Sequence, residues 1–268
     1  MAITTVDGVL AGMRPPEDFL KVGATMEAVG VHHSFFYTSG RPGAATAPSP
    51  GTAGAALTTY AGQVPFTNPA SGNTYLARLA ASASVAGTLL LVDRLWHNSG
   101  VVVTTTTAQT INSATFPARD SAGSTNGAGV LVGIEVSTAT TNVGAVTNTT
   151  MSYTDSDGNS GATATMASFP ATAVAGTFVP FQLAAGDVGV RSIQSVTLGT
   201  SYGAGAIHLV AYRILARLEL PVANVGAAID ALTGGFVRLY DNTVPFLLWL
   251  PTATTAATVS GQLIYTQG

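Results

Sequence analysis

From Asn73 onward, this chain has the pattern of β-strands almost without interruption. Runs of about 7 to 12 residues rich in valine, isoleucine and threonine are separated by glycine, asparagine, aspartate and proline. No helical segments alternate with these runs, so the pattern does not favour a parallel sheet with crossover helices. The sequence predicts an all-β fold, an antiparallel β-sandwich of the jelly-roll type. A length of 268 residues is enough to bury a proper core.

The strands and the one later helix are predicted from local composition. Asn224 can cap a short helix over residues 225–232, and Gly234 can end it, which places one short helix near the C-terminal third. The predicted strands are 74–82, 87–96, 101–111, 130–138, 147–154, 161–167, 176–183, 191–198, 206–218, 236–240, 245–250 and 261–265.

The first 72 residues have a different composition from the rest. Residues 15–22 begin with two prolines and two acids, which predicts a short helix. Residues 39–56 are rich in glycine, proline, alanine, serine and threonine, a composition that cannot bury enough apolar area to fold alone. We therefore expect residues 1–72 to be an N-terminal arm and linker with a short helix, and residues 73–268 to be the β-sandwich body.

Charged residues are scarce. They make up 9% of the chain, and Lys21 is the only lysine beside nine arginines; an ordinary soluble domain has about 25%. A surface of alanine, threonine, glycine and serine suits a protein that packs against copies of itself or a partner. The composition indicates an assembly component.

Several classes of partner are disfavoured by composition. The net charge is −3 and the arginines are scattered singly, so no nucleic-acid partner is expected. The absence of cysteine excludes disulfides and thiolate metal sites and fits folding in a reducing cytoplasm. The apolar runs are shorter than a membrane helix requires, and the N-terminus lacks the pattern of a signal peptide, so neither a membrane partner nor a leader is expected.

The catalytic motifs are weak. Residues 199–203, Gly-Thr-Ser-Tyr-Gly, match the nucleophile elbow of hydrolases, but the next segment alternates like a strand and only His208 follows, so a glycine-rich hairpin is favoured. Asp155, Asp157 and Asn159 alternate as oxygen donors, yet the calcium-loop pattern fails and a tight turn is favoured. Glu135 has no evident carboxylate partner. We expect no catalytic residues, cofactor or metal.

Arginines beside acids are the charges of most interest. Arginine suits buried or interfacial pairing better than lysine does, so these residues either pair within the chain or lie at a subunit interface. The candidate interface residues are Arg14, Arg41, Asp93, Arg94, Arg119 and Asp120.

Four blocks resemble structural proteins encoded by tailed bacteriophages, and the similarity spans roughly residues 74–268. The blocks are 89–100 with the threonine run 104–107, 129–137, 169–181 and 192–203. The resemblance implies a component of the virion, assembled in the host cytoplasm, and it implies no catalytic residues.

Among virion roles, the resemblance and the composition favour a capsid decoration (cement) protein. A shell subunit of the tailed-phage type is built around a long spine helix, which no periodic segment here can supply. A decoration protein would bind the major capsid protein through a β body and an extended arm, which we expect residues 1–72 to supply. We expect such a protein to be a homo-oligomer, a trimer. The alternative is a head fibre, spike, neck or tail-associated protein with a connector or receptor-binding role.

Overall fold

The structure, a computed structural model, describes residues 3, 5–23, 25–26 and 28–268. Residues 1, 2, 4, 24 and 27 of the predicted arm lie outside the described residues. The chain is all-β, and the named strand pairs are antiparallel. The predicted antiparallel all-β body is therefore confirmed.

The strands and helices follow one another along the chain in this order: α1 (Val6–Ala11), β1 (Glu17–Val22), β2 (His32–Ser34), a 3₁₀ turn (Phe35–Tyr37), β3 (Gly40–Arg41), β4 (Ala55–Ala56), β5 (Thr74–Ala83), β6 (Gly87–His97), β7 (Gln109–Thr110), β8 (Val130–Thr138), β9 (Thr149–Asp155), β10 (Ser160–Met166), β11 (Thr177–Pro180), β12 (Val190–Thr197), β13 (Ala206–Leu220), β14 (Ala227–Asp230), α2 (Ala231–Gly234), β15 (Arg238–Leu239), β16 (Pro245–Pro251) and β17 (Thr258–Gln267).

The central sheet closes on itself. Its strands run in the order β13-β8-β11-β2-β16-β6, and β13 also pairs with β6, which completes a six-stranded barrel with β4 attached to β6. A second sheet has the order β14-β5-β17-β1-β3, with β15 also on β5, and a third has the order β10-β9-β12-β7. Closure removes the exposed edges of the central sheet.

Three hydrophobic clusters join these sheets. One cluster packs Leu79 and Leu263 of the second sheet against Leu89 and Trp249 of the barrel wall. Another packs the third sheet against the face of β8 that carries residues 132, 134 and 136. The third cluster lies inside the barrel, where residues 90 and 92 of β6 contribute. Alternate residues of β6 therefore serve different cores, which explains why all eleven residues of that strand are buried.

The N-terminal segment differs from its prediction. Residues 17–22 form a strand and not a helix: β1 pairs along its length with β17, and Phe19 and Lys21 face inward with a period of two. β2 lies in the barrel wall between β11 and β16. Strands β1 to β4 of the expected arm are thus all parts of the body's sheets, and the prediction of an arm separate from the body is wrong for them.

Two other local predictions are also corrected. Only Gln109–Thr110 of the predicted strand 101–111 is strand, because the Gln109 side-chain amide bonds the N–H and the C=O of Val102, the groups that a strand ladder would use. The predicted helix 225–232 is mostly strand β14. Helix α2 starts later, where Asp230 caps it through the N–H groups of Leu232 and Thr233.

Candidate functional site: a buried charge network and an exposed apolar groove

The inside of the barrel contains a buried ion pair. Arg94 on β6 donates from its two terminal nitrogens to the two carboxylate oxygens of Glu135 on β8, at 2.9 and 2.8 Å, and both side chains are at most 3% exposed. The Arg94 guanidinium lies 3.9 Å from the ring centroid of Phe36. Tyr37 donates its hydroxyl to Glu135, and Arg94 Nε donates to His97 Nδ1. Each of the three guanidinium nitrogens of Arg94 therefore donates a hydrogen bond inside the barrel.

A second buried pair lies on the other face of β6. Asp93 accepts from Arg119 Nε and Nη2 at 2.9 and 3.1 Å, and its Oδ1 also accepts from the N–H of Val244. Arg119 Nη1 donates to the carbonyl of Leu57 at 2.7 Å. Neighbouring strand residues point to opposite faces, which is why Asp93 and Arg94 pair with separate partners and not with each other.

The network keeps its charges fixed. Burial alone would raise the pKa of Glu135, but Arg94 beside it holds that pKa below the ordinary value. Burial and the charge of Arg94 lower the pKa of His97 to about 2, so its imidazole stays neutral and accepts from Arg94. Burial raises the pKa of Tyr37. With its polar groups internal and mutually bonded, the network stabilises the barrel and presents no exposed acid or base for catalysis.

Asp120 organises the loop that precedes β8. Its carboxylate accepts from the N–H groups of residues 122, 124, 127 and 128 and from the Ser124 hydroxyl, at 2.7 to 3.2 Å. Burial would raise the pKa of Asp120, but the bonds from Ser124, Ala122 and Ala128 hold it below its ordinary value of 3.8. The ionised carboxylate is the form that this loop binds.

Replacing Asp120 with asparagine should lower the free energy of unfolding at pH 7 by about 1 to 3 kcal/mol, because an amide nitrogen cannot accept these bonds. The folded pKa is depressed, so the stabilisation is present above the unfolded pKa and is lost as the pH falls below about 4. Urea unfolding of the wild type and the variant should show that the difference between their free energies of unfolding is smaller at pH 3 than at pH 7. Asp157→Asn, at an exposed turn residue, is the control, and an equal loss in both variants would contradict the prediction.

Four of the six predicted interface residues are therefore core residues. Asp93, Arg94, Arg119 and Asp120 are at most 2% exposed within the single chain, so their assignment to a subunit interface is wrong. Their hydrogen bonds lie within the chain, which is the other possibility that the sequence left open. The other two, Arg14 and Arg41, are exposed, and Arg41 forms an exposed pair with Asp18 at 3.3 Å. The structure does not bring the six together into one site.

Lys21 is buried as well. Its ammonium group donates to the carbonyls of residues 38, 42 and 43, at 3.3, 2.8 and 3.2 Å, and so holds β1 to the residues on either side of β3. Burial lowers its pKa to about 8. The chain's only lysine therefore stabilises the interior and adds no charge to the surface.

The hydrolase-like motif has no catalytic geometry. Gly203 is followed by strand β13, and Ser201 is exposed with its Oγ accepting from the N–H of Gly203. Both ring nitrogens of His208 are engaged, one by the carbonyl of Asn98 and the other by the hydroxyl of Ser137. The motif joins β12 to β13, which belong to different sheets, so the predicted hairpin is corrected to a connection between sheets.

The aspartate turn joins β9 to β10 as a hairpin, as predicted. Asp155 accepts from the N–H groups of Asp157 and Asn159 and from the Asn159 side chain, at 2.8 to 2.9 Å, and Gly158 has φ of +93°. In the part of the chain that the structure describes, no group of three or more His, Asp or Glu side chains is placed to hold a metal. Nor does any described helix have the length and hydropathy to cross a membrane.

The surface carries one large apolar hollow. It has a volume of about 560 Å³ and lies between α1, α2 and the start of β5. Five of its side chains are unusually exposed for apolar groups: Val6 (61%), Leu10 (61%), Met13 (41%), Leu232 (79%) and Phe236 (41%). We call this surface, with the hollow and these five side chains, the α1–α2 groove.

Sequence reasoning missed the groove. Its walls come from residues 3, 5–13, 75–77 and 230–236. These segments meet because Met13 pairs with Thr266 of β17, β17 pairs with β5, and β5 pairs with β14. One local pattern was present: residues 6, 9, 10 and 13 are apolar at helical spacing. Helix α1 has no buried residue, so this apolar stripe has no core to face.

Comparisons with known proteins identify no family. No protein-family model matches the sequence, and no curated protein matches it. Among solved structures, the chain is similar to that of the infectious bursal disease virus Gt strain, with 14% identity, a TM-score of 0.22 and coverage of 95% of this chain and 80% of that one. The crystal structure of the VP2 subviral particle of the same virus gives 12% identity, a TM-score of 0.21 and coverage of 96% and 81%. Similarity at this level carries no argument about fold or function.

Proposed function

We propose that this chain is a non-enzymatic structural subunit of a tailed-phage virion, a capsid decoration protein that binds the major capsid protein. The observation that carries the proposal is where the chain places its few charges: two ion pairs, Arg94 with Glu135 and Arg119 with Asp93, are buried inside the chain. The surface that remains is dominated by small uncharged residues. Such a surface desolvates cheaply against a neighbouring subunit. The four blocks that resemble phage structural proteins supply the link to a virion.

The structure changes how such a protein would attach. Since β1 and β2 belong to the sheets, the segment before residue 72 cannot leave the body to lie across neighbouring capsomers without opening two sheets. Attachment therefore uses the folded surface, and stabilisation of the shell comes from the rigid body bridging its subunits. Homo-oligomerisation, as a trimer, would multiply a weak contact by avidity.

Cryo-electron microscopy of virions that contain this chain tests the proposal. Density for the barrel in many copies over the local symmetry axes of the shell is the expected result. Density confined to a vertex, the neck or the tail would replace decoration by a connector or receptor-binding role. Absence of the chain from purified particles would overturn a virion role altogether.

A further inference from the structure

We infer that the α1–α2 groove is the surface on which a second copy of this chain docks. The inference deepens the proposed function, because it assigns the self-contact of the assembly to particular residues. It rests on the area, shape and charge of the groove, each of which can be read from the single chain.

The exposed apolar area is large for an isolated subunit. The five exposed side chains offer on the order of 500 Å², near the upper end of the roughly 300 to 600 Å² that the largest patch of a monomer covers. A stable interface of standard size buries about 800 Å² per partner. The five side chains alone supply more than half of that area, and the polar residues at the rim of the groove would bury the rest.

The groove has a projecting apolar side chain and an apolar hollow on the same face. Leu232 projects from the first turn of α2 with 79% of its surface exposed, and the hollow beside it has room for several aliphatic side chains. The Asp230 cap holds the backbone at Leu232 in place, so the projecting side chain stands on an ordered turn. A projection beside a hollow lets one copy insert Leu232 into the hollow of its neighbour.

Charge also favours a like partner. Of the described residues that line the groove, Asp230 alone is charged, and its carboxylate is bonded to the N–H groups of Leu232 and Thr233 and to the Thr233 hydroxyl. Each of two copies would therefore bring one carboxylate to the contact, and that carboxylate is already bonded within its own turn. An apolar wall with a single charge gives a strongly charged partner little to bind.

Sedimentation equilibrium of the full chain, compared with Leu232→Glu, tests the inference. Leu232 is mostly exposed, so the variant should keep the circular dichroism and the unfolding midpoint of the wild type. Its dissociation constant for self-association should rise about 30-fold or more, the effect of losing a central contact. The matched control is Val143→Glu, at a fully exposed apolar residue in the loop between β8 and β9, which should leave association unchanged.

A cysteine cross-link gives a second readout, since the chain has no cysteine. Oxidised Leu232→Cys should form a covalent dimer at concentrations where Val143→Cys stays monomeric. Two results would overturn the inference. One is a wild type that stays monomeric at about 100 µM, a concentration at which even a weak self-contact is populated. The other is a Leu232→Glu variant that associates as strongly as the wild type. Both readouts use the isolated chain, so they are independent of where the protein lies in a virion.

Discussion

Replacing Arg94 with methionine should lower the free energy of unfolding by about 3 to 5 kcal/mol, because the Glu135 carboxylate would be left buried without its partner. Glu135 is fully buried and accepts two bonds from this arginine. The hydrogen bonds from Tyr37, at 3.1 Å, and from the Ser34 side chain would remain, but neither donor carries a positive charge. Urea unfolding followed by tryptophan fluorescence measures the loss, since Trp96 and Trp249 are both buried.

The matched control is Arg217→Met. Arg217 pairs with Glu219 at 2.7 Å, but both side chains are more than half exposed, so the loss should stay below about 1 kcal/mol. A further variant, Arg94→Met with Glu135→Leu, should be more stable than Arg94→Met alone, because no charge stays buried. Equal losses from Arg94→Met and Arg217→Met would show that the barrel interior tolerates an unpaired carboxylate, contrary to the prediction.

Removal of residues 1–60 should abolish cooperative folding. The deletion takes β1 out of the second sheet and β2 out of the barrel wall, where β2 bridges β11 and β16. It also removes Phe35 and Phe36, which are buried in two different cores. The loss of several core side chains at about 3 to 5 kcal/mol each exceeds the total stability of an ordinary domain. Circular dichroism against temperature should show no sharp transition.

Deletion of residues 1–13 is the control for this experiment. Helix α1 has no buried residue, and it is held to β17 by a few bonds, such as Thr266 Oγ1 to the carbonyl of Val9 at 2.8 Å. We expect this deletion to cost about 1 to 3 kcal/mol and to leave a cooperative transition. A cooperative transition in the chain that lacks residues 1–60 would show instead that the body folds without β1 and β2, as the sequence predicts.

The prediction of a helix over residues 15–22 shows where local reasoning stopped. Phe19 and Lys21 both face the core, and the residues next to them are exposed. Because a lysine is ordinarily a surface residue, the sequence does not show this strand periodicity. The three carbonyls that accept from Lys21 make its burial tolerable, and they come from residues 38–43. No window of local sequence contains that information.

The candidate interface shows the same limit. The sequence singles out Asp93, Arg94, Arg119 and Asp120 as charges in a chain poor in charge, but it does not say with which residue each one pairs. The actual pairs are 41 residues apart for Arg94 with Glu135 and 26 apart for Arg119 with Asp93. The pairing of β6 with β13 and of β13 with β8 brings Arg94 and Glu135 together in the barrel. Arg119 reaches Asp93 from the loop that precedes β8.

By itself, the sequence determined the fold class and most strands of the body, because β-branched runs and the turn residues between them act within a few residues of each other. It also determined the low content of charged residues that favours an assembly role. The closure of the barrel, the insertion of β1 and β2 into the sheets, the burial of both ion pairs and the α1–α2 groove were decided only by tertiary structure. Each of these depends on contacts between residues far apart in the chain, whose free energy appears only when the sheets pack together.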